Sequence, residues 1–313
     1  MGVHLAAKTH DYRKYLDPAV LAKIGSLDLR ARSAVQGFVS GLHHSPMRGM
    51  SVEFAEYRKY AQGDDLKNLD WKVYGRTDKH YVKQYEQETN LHLLLAVDCS
   101  ESMSYRSAGS PMSKREYATT AAAAMAYLAL QQADSVALVT FDGRLRRATR
   151  ASNNPSKWRL VIQELELADF TGRTDFREAF DELAEVLVHR HLIVVLSDCL
   201  GDPEDVLRGI RHLRHRGHET ILFHTMDHAE LAFPFEKPTD FQGLEGVGRL
   251  RADPRVVRER YLNSVKQFVS QLRKGCHAQE ADYQVLDTSE PLNVALSAYL
   301  ATRMKRWRGR AGR

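Results

Sequence analysis

The chain has 313 residues, 43% of them hydrophobic and 27% charged, with a formal net charge of +5, a balance that excludes a disordered or fibrous chain and suits a globular protein with one sizeable core. No run approaches the roughly 20 consecutive apolar residues of a membrane-spanning helix, and the opening Met1-Gly2-Val3-His4-Leu5-Ala6-Ala7-Lys8 lacks the apolar stretch of a signal peptide, so a cytoplasmic protein with no membrane role is expected. The charge is uneven: Arg303, Lys305, Arg306, Arg308, Arg310 and Arg313 put six positive charges and no acid into the last eleven residues, so the preceding 302 sum to −1.

Residues 17–42 are predicted to form two short helices separated near Gly25 and Ser26, because Val20, Leu21, Ile24, Leu29, Ala31, Val35, Phe38 and Val39 recur at helical spacing. Val52-Glu53-Phe54-Ala55-Glu56-Tyr57 alternates as a half-buried strand does, a short helical piece follows around Leu69 to Val73, and Tyr81-Val82-Lys83-Gln84-Tyr85 alternates again. Residues 1–90 therefore read as a mixed α/β extension, too small and too polar to fold alone.

From residue 91 apolar strands alternate with amphipathic helices, the pattern of a doubly wound sheet covered on both faces. Strands are expected at Leu91–Val97, Ser135–Phe141, Leu192–Leu196, Thr220–Thr225 and Tyr283–Leu286, with a tight turn at Asp142-Gly143 leading into Leu145–Thr149. Helices are expected at Lys114–Gln132, Pro155–Leu167, Phe176–Leu187, Pro203–Arg214 (stopped by Gly217), Pro254–Lys274, and from Pro291 to about Arg306. Phe233 to Leu250, rich in Pro and Gly, reads as a surface hairpin or loop. The fold class expected is α/β: a three-layer sandwich with a mostly parallel, doubly wound sheet over residues 91–302, preceded by the extension and followed by a basic tail at 303–313.

In open α/β sheets ligands gather beyond the carboxyl ends of the strands, so the informative places are those where an apolar strand turns polar. The first strand of the sheet ends in Asp98-Cys99-Ser100-Glu101-Ser102, and a later central strand ends in Ser197-Asp198. Alternation of Asp98, Ser100 and Ser102 in an extended turn points three oxygens to one side, where they suit a hard cation such as magnesium, which takes an octahedron of oxygens and keeps some waters. Taken alone, Asp-x-Ser-x-Ser is more often a helix-capping loop; joint occurrence at the right strand ends favours the metal.

Asp98-x-Ser100-x-Ser102 at a strand end, Thr174 in Gly172-Arg173-Thr174-Asp175 before a helix, and Asp198 in Val-Leu-Ser-Asp closely resemble the metal-ion-dependent adhesion site of von Willebrand factor A domains. The resemblance implies a von Willebrand factor A-like fold and one Mg2+ or Mn2+ held by Asp98, Ser100, Ser102, Thr174 and Asp198. It further implies that Ser100 and Ser102 coordinate directly, Thr174 directly or through water, and the two aspartates largely through water. Thr171, three residues earlier, rivals Thr174. An ion so held keeps an open position that an acidic residue of a partner protein can fill, which implies adhesion rather than catalysis.

A second resemblance lies in the extension. Glu53-Phe54-Ala55-Glu56-Tyr57-Arg58, then Gly63-Asp64-Asp65-Leu66-Lys67-Asn68-Leu69-Asp70-Trp71-Lys72, with Arg76-Thr77 and Tyr81-Val82-Lys83 after it, looks like the bacterial domain-of-unknown-function family 58. That family joins such a segment to an A-like domain and is typically encoded near AAA+ ATPases of the MoxR type, which implies such a partner in protein maturation or complex assembly. On the residues themselves, Asp64, Asp65 and Asp70 beside Lys67, Lys72 and Arg76 read first as an ion-pair and capping network with Trp71 as a packing anchor, and second as a partner-facing surface.

Other signals carry less. Cys99, Cys199 and Cys276 show no paired spacing and read as small buried hydrophobes. His212 and His215 share a helix face without a Cys or Glu to complete a zinc set. No nucleophile elbow or phosphate-binding loop is present. The rival to adhesion is a metal-dependent hydrolase using Glu101 or Asp175 as base. Lys305, Arg306, Trp307, Arg308 and Arg310 could bind phosphates with base stacking, but a solvated helix end whose charge suits the helix terminus is the preferred reading, and nucleic acid is not expected as a partner.

Overall fold

The computed structural model describes residues 27–32, 35, 57–59, 81–83, 92–131, 133–245, 248–292 and 296. The chain divides into two compact units, residues 41–90 and the remainder. In the smaller one, strands β1 (Tyr57–Lys59) and β2 (Tyr81–Lys83) pair antiparallel with Arg58 opposite Val82. The Gly63 to Lys72 segment with Trp71, the expected strand residues 52–56 and the basic tail lie outside the described residues, as does most of the helix expected from Pro291.

The larger unit runs β3 (His92–Asp98), a 3-10 turn at Glu101–Ser104, α1 (Lys114–Gln131), β4 (Ser135–Phe141), β5 (Leu145–Ala148), α2 (Lys157–Glu166), α3 (Phe176–Val186), β6 (Leu192–Ser197), α4 (Pro203–His215), β7 (Glu219–Met226), α5 (His228–Ala232), β8 (Thr239–Gln242), β9 (Arg249–Ala252), α6 (Pro254–Ala278) and β10 (Asp282–Asp287). Six strands form one sheet in the order β10-β7-β6-β3-β4-β5, parallel except for the antiparallel β4–β5 hairpin at one edge. The mostly parallel, helix-covered sheet expected from the alternation is what forms. The Pro- and Gly-rich stretch supplies the antiparallel β8–β9 hairpin. Helix α5 was not expected, its five residues being too few for a periodicity, and α6 runs to Ala278, past the expected Lys274.

Strand alternation builds the three layers. On β3, Leu93, Leu95 and Val97 enter one core while Leu94 and Ala96 enter the other; on β6, Val194 and Leu196 divide from Ile193 and Val195 in the same way. Residues from α1 and α2 close the first core, joined by Leu27, Ala31 and Val35 of the amino-terminal helical segment. Alanines let α1 lie close to the sheet, with Ala118, Ala121, Ala122, Ala123 and Ala124 all fully buried, and the Trp158 indole N–H of α2 donates to the Ala123 carbonyl at 3.0 Å. The second core is closed by α3, α4 and α6. There Gly209 permits close helix packing, since a Cβ at that position would fall 2.3 Å from the Phe180 ring.

This order fixes where a site can form. The chain leaves β3 through α1 to β4 on one side, and later enters β6 on the other side of β3 before continuing through α4 to β7. The crossovers diverge at the β3/β6 boundary, which opens a crevice at the carboxyl ends of those two strands. Among the described residues no helix is long and apolar enough to cross a membrane.

Candidate metal centre

Asp98 and Asp198 meet because of sheet register. Val97 pairs with Leu196, so the next residues, Asp98 and Ser197, emerge side by side. The Ser197 hydroxyl donates to Asp98 Oδ2 at 2.5 Å, and Asp198 follows one residue on. The turn after β3 is closed by the Ser100 N–H donating to Asp98 Oδ1 at 2.9 Å, and the Ser100 and Ser102 hydroxyls lie 3.0 Å apart. All five of Asp98, Ser100, Ser102, Ser197 and Asp198 are buried.

Thr174 arrives from a distant loop that is stitched to this turn. The Thr171 N–H donates to the Cys99 carbonyl at 2.9 Å and the Glu101 N–H to the Gly172 carbonyl at 3.0 Å. Gly172 sits at φ +85°, a left-handed conformation that glycine adopts without the Cβ clash other residues meet. The result places Thr174 Oγ1 3.1 Å from both Asp98 carboxylate oxygens, its hydroxyl donating to them. Thr171 is exposed, so of the two candidate threonines the loop delivers Thr174. The sequence-predicted set of Asp98, Ser100, Ser102, Thr174 and Asp198 is thus gathered at one rim of the sheet, with Ser102 in hydrogen-bonding reach of the Asp198 carboxylate.

The two carboxylates sit in unequal electrostatic surroundings. Burial, and then repulsion from Asp198, push the Asp98 carboxyl up to about 7, against the hydrogen bonds from Ser197 and Ser100. Burial also opposes the Asp198 charge, but the Lys114 ammonium 2.7 Å from its Oδ2 outweighs that and holds its carboxyl below the usual range. Lys114 is itself buried and pairs at 2.8 Å with Glu230 as well, so a lysine charge persists where burial alone would remove it. Glu230 belongs to a capping box on α5, its Oε2 accepting the Asp227 N–H at 2.8 Å. His224, pushed down to about 4 by burial, is neutral; its Nε2–H donates to the Asp198 carbonyl at 2.9 Å and its Nδ1 accepts from the Tyr283 hydroxyl at 2.6 Å. The backbone at Asp198 is therefore clamped from behind.

Sequence reasoning missed Ser197, Lys114, Glu230 and His224. Two of these had a legible signal: Ser197 precedes Asp198 at the strand end, and His224 is a polar residue inside an apolar parallel strand. Lys114 and Glu230 had none, because their meeting depends on where the first turn of α1 and the short helix α5 come together at the rim. A further acid, Glu245 on the loop joining β8 and β9, faces the hydroxyl and N–H of Ser102; burial more than offsets their pull and raises its carboxyl above the usual range. Among the described residues no group of three or more His, Cys, Asp or Glu side chains is arranged to hold a metal. Any cation here depends on the hydroxyl oxygens of Ser100, Ser102 and Thr174 alongside the two aspartates.

The family described as "Protein of unknown function DUF58" matches residues 56–269. The uncharacterized protein Rv1480 of Mycobacterium tuberculosis is 28% identical over 221 residues, 70% of this chain and 68% of that protein, and Mb1516 of Mycobacterium bovis matches to the same extent. Among solved structures, the chain is similar to the conserved hypothetical protein BatB from Bacteroides thetaiotaomicron, with a TM-score of 0.46 and 14% identity over 69% of this chain and 99% of that one. It is also similar to the SpRpn10 VWA domain, with a TM-score of 0.38 and 10% identity over 66% and 94% of the respective chains. Since the family match spans more than half of its length, the chain belongs to the DUF58 family.

Proposed function

We propose that this chain is a non-enzymatic protein-interaction module that holds one divalent cation, Mg2+ or Mn2+, at Asp98, Ser100, Ser102, Thr174 and Asp198, and through it docks an acidic residue of a partner protein. The observation that carries this reading is the convergence of three hydroxyls on two mutually repelling buried carboxylates at the topological switch point. The donor set fits the ion. Hard oxygens suit Mg2+ and Mn2+, and a cation relieves the repulsion that burial imposes on Asp98. When bound, the metal supplies a positive centre with an open position, and so few anions leave it able to accept a carboxylate.

The chain's own residues do the rest. Ser197 and the Ser100 N–H orient Asp98, Lys114 and His224 fix Asp198, and the stitched loop presents Thr174. Neither base named for the hydrolase alternative favours it, since Glu101 is exposed and the Asp175 carboxylate caps α3 by accepting the Glu178 N–H. The partner proposed is a MoxR-type AAA+ ATPase in the cytoplasm, acting in protein maturation or complex assembly, a reading supported by the family resemblance. Capture of the partner from the native host is expected to require Mg2+ and to disappear on chelation. Ser100→Ala combined with Ser102→Ala should abolish metal-dependent capture with an unchanged circular dichroism spectrum; undiminished capture by that double variant rules the mechanism out. Phosphoester hydrolysis lost in Asp98→Ala would support the hydrolase instead.

A further inference from the structure

The acid on the β8–β9 loop does not belong to the predicted ligand set, yet it is held against it. The hairpin is closed by the Gly243 N–H donating to the Gly248 carbonyl at 3.0 Å, and its loop carries Glu245 toward the turn after β3. The Glu245 side chain is only 4% exposed. Ser102 and Asp198 are among its electrostatic neighbours. Arg173, the residue before Thr174, lies 3.8 Å from Oε2 but is itself 75% exposed, so it balances the charge weakly. Oε1 is buried with no hydrogen-bond partner among the described residues.

A buried carboxylate oxygen without a donor costs free energy unless something else satisfies it. Glu245 also adopts φ +62°, a left-handed conformation that is unfavourable for a non-glycine residue and persists only where its surroundings impose it. Packing alone does not account for an acid in this place, since an apolar or amide side chain would fill it without the charge. A divalent cation on Ser102 and the two aspartates would supply what Oε1 lacks.

We infer that Glu245 is an internal acidic ligand of the same metal, reaching it beside Ser102 while Asp98 and Asp198 act through water, and taking the position that a partner's carboxylate must occupy. This rests on the metal-dependent docking reading and deepens it: the β8–β9 hairpin holds the site closed, and a partner binds by exchanging its own acid for Glu245. Selectivity then lies in the exchange, because an isolated carboxylate meets a site already satisfied, whereas a partner that also engages the hairpin displaces it.

The test uses the full chain with Mn2+ alone as probe. Affinity is measured by calorimetry, and the number of exchangeable waters on the bound ion by water-proton relaxation. Glu245→Gln should bind Mn2+ about tenfold more weakly, as expected for loss of one charged ligand, and the bound ion should gain one water. Glu245→Asp, which keeps the charge but withdraws the carboxylate by one methylene, should gain the same water with a smaller loss of affinity. Glu236→Gln removes an equal charge from an exposed position and should match wild type. Mn2+ bound by wild type but lost in Ser100→Ala/Ser102→Ala, with Glu245→Gln unchanged in both affinity and hydration, overturns the role of Glu245 alone. Absence of Mn2+ binding by wild type overturns the metal reading and this inference together.

Discussion

At the carboxyl ends of β3, β6 and β7 the chain places Asp98, Ser197, Asp198 and Asp227; at the amino ends of the same strands it places His92, His191 and His218, with His189 close by. One parallel sheet has gathered two polar clusters, so topology by itself does not distinguish a site from a border. What differs is how each cluster satisfies itself. The histidine rings lie against one another, His92 to His191 at 5.5 Å and His191 to His218 at 5.8 Å between centroids. The His191 N–H donates to His218 Nδ1 at 3.2 Å and the His191 Nδ1–H to the His189 carbonyl at 2.6 Å. Burial favours the neutral form of His191 and His218, and the one buried ring nitrogen left without a partner among the described residues, His218 Nε2, carries no negative charge for an ion to balance. The acid end sets Asp198 and Glu230 on the Lys114 ammonium and buries Asp98 against Asp198, so three carboxyl groups share one ammonium and Asp98 is pushed toward its neutral form.

The largest effect that could break this contrast is expected at Lys114. Lys114→Met leaves Asp198 and Glu230 without their cation in a buried setting, and should cost about 3–5 kcal/mol, read as a fall in the thermal midpoint. Part of that loss should return when Mg2+ is added, since a metal then supplies the missing charge. A midpoint equal to wild type would mean that the acids do not depend on the lysine.

At the other end the expected effect is a pH dependence. Burial holds the pKa values of His191 and His218 below the ordinary imidazole value of 6.5, so the folded state keeps these rings neutral while the unfolded chain takes up protons first as pH falls. The contribution of these two rings is therefore full above 6.5 and declines below it, by up to about 1.4 kcal/mol per pH unit for each group, while Asp98, raised to about 7, contributes with the opposite sign over the same range. The denaturant midpoint of wild type relative to His191→Gln/His218→Gln should fall as pH drops from 7 to 5, with His224, depressed as well, adding the same dependence to both proteins. An unaltered slope in that double variant would remove the histidine end from the account. The smallest effect concerns the α5 cap. Asp227 accepts the Ala229 N–H at 2.8 Å and the Ser107 N–H at 3.0 Å, and Asp227→Ala should cost about 0.5–2 kcal/mol in the same measurement.

Much of this architecture was legible in the sequence because its signals are local. Apolar runs such as Leu192–Leu196, short and rich in β-branched residues, read as strands buried on both faces, and the alanines of α1 announce close packing on a sheet. Asp98, Ser100 and Ser102 were legible by alternation, and Asp198 by its place at a strand end. Lys114, Glu230 and Glu245 were not, since nothing in their own neighbourhoods distinguishes them from solvated surface charges. Lys114 starts α1, Glu230 lies in α5 and Glu245 on the β8–β9 loop, and their meeting at the rim depends on the order of strands rather than on spacing along the chain.

The most direct test of the central claim is an anomalous difference map from crystals grown with Mn2+. The account predicts one peak beyond the ends of β3 and β6, in contact with the hydroxyls of Ser100 and Ser102. A map with no peak there, or with its strongest peak among His92, His191 and His218, would contradict it.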